Sequence, residues 1–304
     1  MSDNTQASEI SQNEKEQEAE EKKPVMLERG EVGELARTAL LAVVIALLIR
    51  TFLFEPFNIP STSMKPTLLV GDYLFVYKPA YGYSRYSFPF GLAPIEGRVW
   101  GKEPQRGDIM VFNLPKQGGI NLIKRLIGLP GDRIQVIDGR LYINGEIVPR
   151  EFIRTFDEDK SKDDINGRMK RPEIVSTTEY LETLPGGVIH SIYEESDFAQ
   201  LDNTEVFTVP EGYYFMMGDN RDNSRDSRVP EEVGMVPFEN IVGRADFLFF
   251  STNLYAALYE FWKWPWTIRY ERLFMDLDPV RPDPSKHGGN EEDGSSAGQE
   301  KSKG

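Results

Sequence analysis

One apolar segment near the N-terminus constrains the fold of this chain more than any other feature. Residues 33–54 read GELARTALLAVVIALLIRTFLF, and the stretch from Thr38 to Ile49 carries no charge. A helix of 22 residues is about 33 Å long at a rise of ~1.5 Å per residue, which is enough to cross a bilayer. The segment therefore predicts one transmembrane helix over residues 33–54, with Arg50 near an interface.

A cleaved signal peptide is the alternative for the same segment. The long polar leader argues against it, and the bulky residues RTFLFEPF contain no small-x-small cleavage site. Lys22, Lys23, Arg29 and Arg37 precede the span, whereas only Lys65 follows within about twenty residues. The positive-inside rule then predicts a cytoplasmic N-terminus and places the bulk of the chain outside.

The composition excludes several classes of function. The net charge of −14 disfavours a nucleic-acid partner, because phosphate binding needs a basic patch. The chain has no cysteine, which excludes disulfides, a thiolate zinc site and a cysteine nucleophile. The two histidines, His190 and His287, allow no multi-histidine metal site. A Ser-His-Asp triad would have to use His190, which we expect to be an ordinary surface or strand residue.

Beyond the apolar segment, the chain carries the pattern of a mostly β protein. The dipeptides at 138–139 and 144–145 are Asp-Gly and Asn-Gly, strong hairpin signals that join three short runs into an antiparallel meander. Residues 150–205 are charged and less regular, and they predict a β-rich lid or smaller second lobe. Further strands are predicted within residues 72–77, 106–112, 121–128, 213–217 and 241–251.

A serine-containing stretch follows the apolar segment closely. Residues 59–77 read IPSTSMKPTLLVGDYLFVY. Proline restricts the residue before it to extended conformations, and side chains alternate along an extended path. Ser61 and Ser63 should therefore point to the same side. By itself, a serine-rich turn of this kind is usually only a turn.

Lys124 is the candidate base for a serine nucleophile. Alternation on its predicted strand places it between Leu122 and Leu126 on one face, and burial there would lower its pKa. With histidine scarce and cysteine absent, Ser-Lys pairing is a known solution. Lys65 is a poorer candidate, because it follows Ser63 in a turn expected to be solvated. The alternative for the Lys124 strand is a sheet edge with its cations in water.

The polar run at residues 218–228 reads GDNRDNSRDSR and follows a predicted strand. It does not fit a calcium-binding EF-hand loop, because Ser224 and Pro230 stand where that loop needs glycine and glutamate. We expect this run to make internal hydrogen bonds and ion pairs.

Four blocks together resemble the bacterial type I signal peptidases, the Ser-Lys dyad family. They are PSTSMKPTL (60–68), RGDIMVF (106–112), KRLIGLPGD (124–132) and GDNRDNSRDSR (218–228), in this order after a membrane span. The resemblance implies a dyad that cleaves signal peptides from exported preproteins after small-x-small motifs, without metal or cofactor. It implies location in the cytoplasmic (inner) membrane, with the catalytic domain on the outer, periplasmic side. Implied partners are preprotein signal peptides and the bilayer, with the secretion translocon as a further candidate.

The resemblance also assigns roles by position. Ser63 resembles the nucleophile and Lys124 its general base. Ser61 resembles the hydroxyl that forms an oxyanion hole with the Ser63 N–H, and Ser224 resembles the residue that orients the lysine by a hydrogen bond. The other implied residues are the supporting ion pair, Asp226 and Arg228, and the walls of the pockets for small substrate side chains, Phe57, Ile59, Pro60, Met64, Leu68, Leu122 and Ile123.

The expected fold is mostly β: an antiparallel catalytic domain and a smaller β-rich lobe, tethered by one N-terminal transmembrane helix. The aromatics near the C-terminal end, including Trp262 and Trp266, suit a membrane interface or, alternatively, a satellite core. The expected parts are a disordered cytoplasmic leader (1–32), the helix (33–54), the first catalytic part (55–149), the second lobe (150–208), the second catalytic part with the aromatic segment (209–278) and a disordered tail (279–304).

Two other classes of function compete with this interpretation. A self-cleaving Ser-Lys repressor would share the dyad, but it would carry a basic DNA-binding module rather than a membrane span. A non-enzymatic anchored binding protein would explain the span, the strands and the aromatics. It would not require a serine pair together with a lysine between two leucines.

Overall fold

The computed structural model describes residues 29–88, 91, 93–163, 173–253, 260–279 and 281. Most of the expected leader and tail lies outside the described residues, as do His287 and part of the C-terminal aromatic segment. The chain divides into two units, one ending at Leu48 and the other beginning at Ile49.

Strands dominate the second unit, which confirms the mostly β prediction. Among the described residues, the α-helices are α1 (Arg29–Phe52) and the single turn α2 (Trp264–Thr267). The strands are β1 (Phe54–Asn58), β2 (Asp72–Tyr77), β3 (Tyr83–Ser84), β4 (Arg98–Val99), β5 (Ile109–Asn113), β6 (Asn121–Gly128), β7 (Arg133–Ile137), β8 (Arg140–Ile143), β9 (Glu146–Ile147), β10 (Arg150–Asp159), β11 (Ile174–Thr183), β12 (Ile189–Glu194), β13 (Phe207–Thr208), β14 (Tyr213–Met217), β15 (Val236–Pro237) and β16 (Ile241–Ser251).

Helix α1 contains the predicted apolar segment. Residues Gly33–Phe52 have a mean hydropathy of 2.0 and are long and apolar enough to cross a membrane. The helix begins before the predicted start, and it ends at Phe52 rather than at Phe54, which begins β1. The reason lies in the Glu55-Pro56 pair, since the residue before a proline is driven out of the helical region.

Within the second unit, Lys78 donates hydrogen bonds at the C-terminal end of α1. Its side chain is fully buried and donates hydrogen bonds to the carbonyls of Arg50, at 3.1 Å, and Ser87, at 2.6 Å. The carboxylate of Glu55 lies 2.8 Å from the same amine. A buried ammonium is tolerated when it is paired and hydrogen-bonded, and helix carbonyls without intrahelical partners need donors.

The main sheet has seven antiparallel strands in the order β1-β2-β16-β5-β6-β14-β15. Strands β5 and β6 lie inside it, with apolar side chains packed on both faces. Met110, Leu122 and Leu126 belong to one core cluster, whereas Ile109 and Ile123 belong to another. The alternative that places both cations of β6 in water is therefore wrong, because Lys124 and Arg125 are buried.

Three smaller antiparallel sheets accompany the main one, and the smallest consists of β3 and β4 alone. The predicted meander is confirmed in a four-stranded sheet of order β13-β7-β8-β9. Its hairpin residues Asp138 and Gly139 have φ of 47° and 69°, and Asn144 and Gly145 have φ of 58° and 85°. Such turns favour the Asp-Gly and Asn-Gly pairs found there. The predicted second lobe contains a three-stranded sheet, β10-β11-β12.

Candidate active site

A tight turn presents Ser63. The N–H of Lys65 donates to the carbonyl of Thr62 at 3.1 Å, which closes a four-residue turn with Ser63 at its second position. Asn220 holds the turn from the other side: its N–H donates to the Ser63 carbonyl and its side-chain amide to the Thr62 carbonyl, each at 3.1 Å. The side chain of Met64 is buried in the core beneath. The turn is therefore fixed by backbone and packing together.

The two predicted serines point to the same side of the chain. The hydroxyl oxygens of Ser61 and Ser63 are 3.3 Å apart. Ser63 is buried whereas Ser61 is exposed. A hydroxyl in the position of Ser61 can therefore meet a group that enters the site from solvent.

Lys124 of β6 reaches Ser63 across 61 residues of sequence, and its Nζ donates to the Ser63 Oγ at 2.5 Å. Burial lowers the pKa of Lys124 to about 8 and outweighs the opposing attraction of Asp226 and Asp219. Roughly a tenth of the amine is then neutral at pH 7, far more than for a lysine in water. This neutral amine can accept the proton of Ser63.

Asp226 and Arg228 form a buried bidentate ion pair, with two nitrogen–oxygen distances of 2.9 Å. Burial alone would raise the pKa of Asp226, but Arg228 and hydrogen bonds lower it overall. The Gly218 N–H donates to the same carboxylate at 3.0 Å. The ion pair therefore holds the polar loop of residues 218–228 closed beside the dyad.

Ser224 lies in this loop, but it makes no hydrogen bond to Lys124. Its hydroxyl is buried, and its contact with Asp226 helps to lower the pKa of that carboxyl. It packs against Gly218, where a Cβ atom would lie 2.3 Å from the Ser224 Oγ and 2.4 Å from the Ser63 carbonyl oxygen. Ser224 therefore lies next to Ser63 but without the orienting bond to Lys124 that the resemblance implies.

The residues expected to form pocket walls separate into two groups. Met64 and Leu68 are fully buried core side chains, so they support the site from below. Phe57, Pro60 and Leu122 retain exposed surface and can contact a ligand. Ile59 and Ile123 are buried in the same cluster as Met64, and Leu122 packs against a different cluster on the Lys124 face.

Sequence reasoning missed a second buried charge cluster next to the dyad. Arg125 donates to both carboxylate oxygens of Asp219, at 2.8 and 2.7 Å, and Thr67 donates to one of them at 2.5 Å. Burial would raise the pKa of Asp219, but Arg125 keeps it well below its usual range. The sequence contained a signal for this cluster, since Arg125 is next to Lys124 and Asp219 lies near the start of the polar run.

His190 lies on strand β12, one of the two alternatives expected for it, and is buried with its ring nitrogens 3.3 Å from Glu182 and 3.4 Å from Asp219. The expectation for Lys65 is wrong: it is buried rather than solvated, and its Nζ lies 2.8 Å from Glu158. The cause is the three-stranded sheet β10-β11-β12, called the second sheet below, which brings Glu158 against the serine turn.

Comparison with known proteins identifies the family. Residues 32–250 match the sequence profile of "Signal peptidase, peptidase S26". Signal peptidase I of Rickettsia conorii is 40% identical over 252 residues, which cover 77% of this chain and 89% of that protein. The enzyme of Rickettsia typhi is also 40% identical, over 77% of this chain and 90% of its own length.

A solved structure of a signal peptidase I from Enterococcus faecalis is 31% identical, covers 47% of this chain and 97% of its own, and has a TM-score of 0.26. The apolar helix α1 is consistent with a membrane anchor. The family match covers most of the strands described above, the serine turn and the loop that closes over it. The chain belongs to the signal peptidase family S26 and is a peptidase, hence a hydrolase, of that family.

Proposed function

We propose that this protein is a membrane-bound serine endopeptidase that removes N-terminal signal peptides from exported preproteins. Ser63 is the nucleophile and Lys124 the general base. The observation that carries the proposal is the 2.5 Å contact between the Lys124 Nζ and the Ser63 Oγ, made in a site where burial lowers the pKa of the lysine to about 8. A nucleophile in hydrogen-bond contact with a base of depressed pKa is the arrangement that acyl transfer requires.

The reaction proceeds in two stages. Neutral Lys124 takes the proton of Ser63 while the Ser63 Oγ attacks the scissile carbonyl carbon. The Ser61 hydroxyl and the Ser63 N–H donate to the oxyanion of the tetrahedral intermediate, and each good donor lowers the barrier by about 3 kcal/mol. Protonated Lys124 then gives its proton to the leaving amine, and water, activated by the same amine, hydrolyses the acyl-enzyme.

The sheet offers an edge for an extended substrate. Strand β14 pairs with β6 only between Arg125 and Gly128, so the edge of Asn121–Lys124 on that side has no strand partner within the described ranges. An extended peptide that adds to such an edge gains main-chain hydrogen bonds, and its alternate side chains face the protein. Alternation supports recognition of a small-x-small motif by pockets near Phe57, Pro60 and Leu122.

The proposed location is the bacterial cytoplasmic membrane, with the N-terminus inside and the catalytic unit outside. The charge asymmetry around α1 supports this orientation. The bilayer and the emerging signal peptide are the proposed partners, and the secretion translocon would deliver the substrate. No nucleic acid is expected at a surface of net charge −14.

Cleavage of a preprotein by the purified full chain in detergent tests the proposal. Ser63→Ala and Lys124→Ala should each abolish processing while the circular dichroism spectrum stays unchanged. Lys102→Ala, which removes an exposed lysine, is the matched control and should cleave normally. Full activity of folded Lys124→Ala would overturn the Ser-Lys assignment. Failure of a serine-directed acylating reagent to label Ser63 would favour an anchored binding protein.

A further inference from the structure

We propose that Glu158, on the second sheet, is a positioning residue that acts on Ser63 through Lys65. The inference rests on the proposed function, and it gives the second sheet a role in catalysis. Lys65 and Glu158 lie 93 residues apart in sequence, yet their side chains meet at 2.8 Å.

This ion pair is shielded from solvent. The side chains of Lys65 and Glu158 are 10% and 16% exposed. Fully exposed pairs contribute little, because water screens them and two flexible side chains must be ordered. A pair with most of its surface covered is screened less by water and is held more firmly.

Lys65 is placed so that a movement of its side chain would also move its backbone and, with it, Ser63. Its N–H closes the turn that begins at Thr62, so the backbone of Lys65 and the position of Ser63 are coupled through one hydrogen bond. The turn is also held by the bonds from Asn220, by the bond from Lys124 to Ser63 and by the buried side chain of Met64. The Glu158 contact adds an attachment from the second sheet, so its loss should displace the serine rather than unfold the site.

The other two strands of this sheet, β11 and β12, contact the polar loop of residues 218–228 through charged side chains. Glu182 of β11 makes a buried bidentate ion pair with Arg221. His190 of β12 lies between Glu182 and Asp219. The sheet is thus held to the polar loop by β11 and β12, and to the serine turn by β10. Glu158 links the two, because it sits on the hairpin partner of β11.

Small displacements of a nucleophile have large kinetic effects. A shift of about 1 Å in a reacting group can cost on the order of a hundredfold in rate. Because Asn220 and Met64 still hold the turn, we expect a smaller shift and a loss of about three- to tenfold in kcat on removal of the Glu158 charge. KM should stay unchanged, since Glu158 acts on Ser63 and not on the substrate.

A double-mutant cycle in the full-length enzyme tests the inference. Glu158→Gln should lower kcat for preprotein cleavage and leave KM unchanged. Lys65→Met should lower kcat at least as much. Glu158→Gln added to Lys65→Met should have no further effect, because the residue through which it acts is gone. Arg154→Gln on the same strand removes an ion pair with Glu179 and should leave both constants unchanged.

The outcomes separate this inference from the proposed function. If the unmodified chain cleaves no preprotein, the proposed function fails. If the unmodified chain is active and Glu158→Gln equals it in kcat, the inference alone is wrong. A change in KM alone, or effects of the two substitutions that multiply in the double variant, would also contradict it. If Glu158→Gln unfolds at a temperature close to that of Arg154→Gln, a general loss of stability is excluded as the cause of its lower kcat.

Discussion

At the scale of single residues, Lys124 shows how surroundings change the chemistry of a side chain. Leu122, Leu126 and Met110 pack on its face of the sheet, and the amine is enclosed with Ser63. Water no longer solvates the charge, so the ammonium form is disfavoured relative to a lysine in solution. Asp226 and Asp219 oppose this effect only in part. Part of the amine is therefore neutral near pH 7, as the proposed role of Lys124 as general base requires.

The pH dependence of cleavage follows from this pKa. In the proposed mechanism the neutral amine of Lys124 is the active form. Because the pKa of Lys124 is lowered to about 8, kcat/KM should rise about tenfold per pH unit below that value and level off above it. The measurement is kcat/KM for a preprotein between pH 6 and 9, with circular dichroism as a check of folding. A flat profile under conditions where chemistry is rate-limiting would contradict the assignment of Lys124.

At the scale of elements, the serine turn and the polar loop of residues 218–228 form one unit. Asn220 donates twice to the turn, and Gly218 lies against the carbonyl of Ser63. The Asp226–Arg228 pair closes the loop, and the Arg228 guanidinium also donates to the carbonyl of Arg221 at 2.6 Å. Gly218 does not have a positive φ, so its backbone conformation does not require glycine. Glycine is required because the Ser63 carbonyl and the Ser224 side chain lie where a Cβ atom would be.

Gly218→Ala tests this contact between elements. The added Cβ would lie 2.4 Å from the Ser63 carbonyl oxygen, a backbone atom that cannot move without the turn. We expect a loss of at least about tenfold in kcat, since the nucleophile must shift, and a destabilisation of about 1–3 kcal/mol. Preprotein cleavage and thermal unfolding measure the two effects. Gly118→Ala, with open space around its Cβ position, is the control; equal activities would show that the loop and the turn are not coupled.

At the scale of the whole molecule, the orientation across the membrane remains a prediction from charge. The chain contains no cysteine, so one introduced cysteine reports its own location. Glu151→Cys on an exposed position of β10 should react with a membrane-impermeant maleimide in intact spheroplasts. Ser8→Cys should react only after lysis. The reverse pattern would invert the topology, and the cysteine-free chain is the control for background labelling.

Much of this protein is determined by local sequence. Strands Asp72–Tyr77, Asn121–Gly128, Tyr213–Met217 and Ile241–Ser251 have the predicted bounds, because alternation and turn residues act over a few positions. Asp-Gly and Asn-Gly pairs specify hairpins for the same reason. The apolar segment predicts its own helix, since no other part of the chain is needed to satisfy its backbone. The four motifs were sufficient to indicate the family.

Only the tertiary structure decided how distant residues meet. Lys124 has a lowered pKa and contacts Ser63 because the sheet buries it and brings the two residues together, whereas the strand pattern alone allowed a solvated edge. Lys65 is buried with Glu158 of the second sheet beside it, and no local pattern predicts a neighbour 93 residues away. His190 is buried because its own strand β12 places it against Asp219 of the polar loop. Alternation specifies which way a side chain points, but burial, pairing and pKa depend on what the rest of the fold places there.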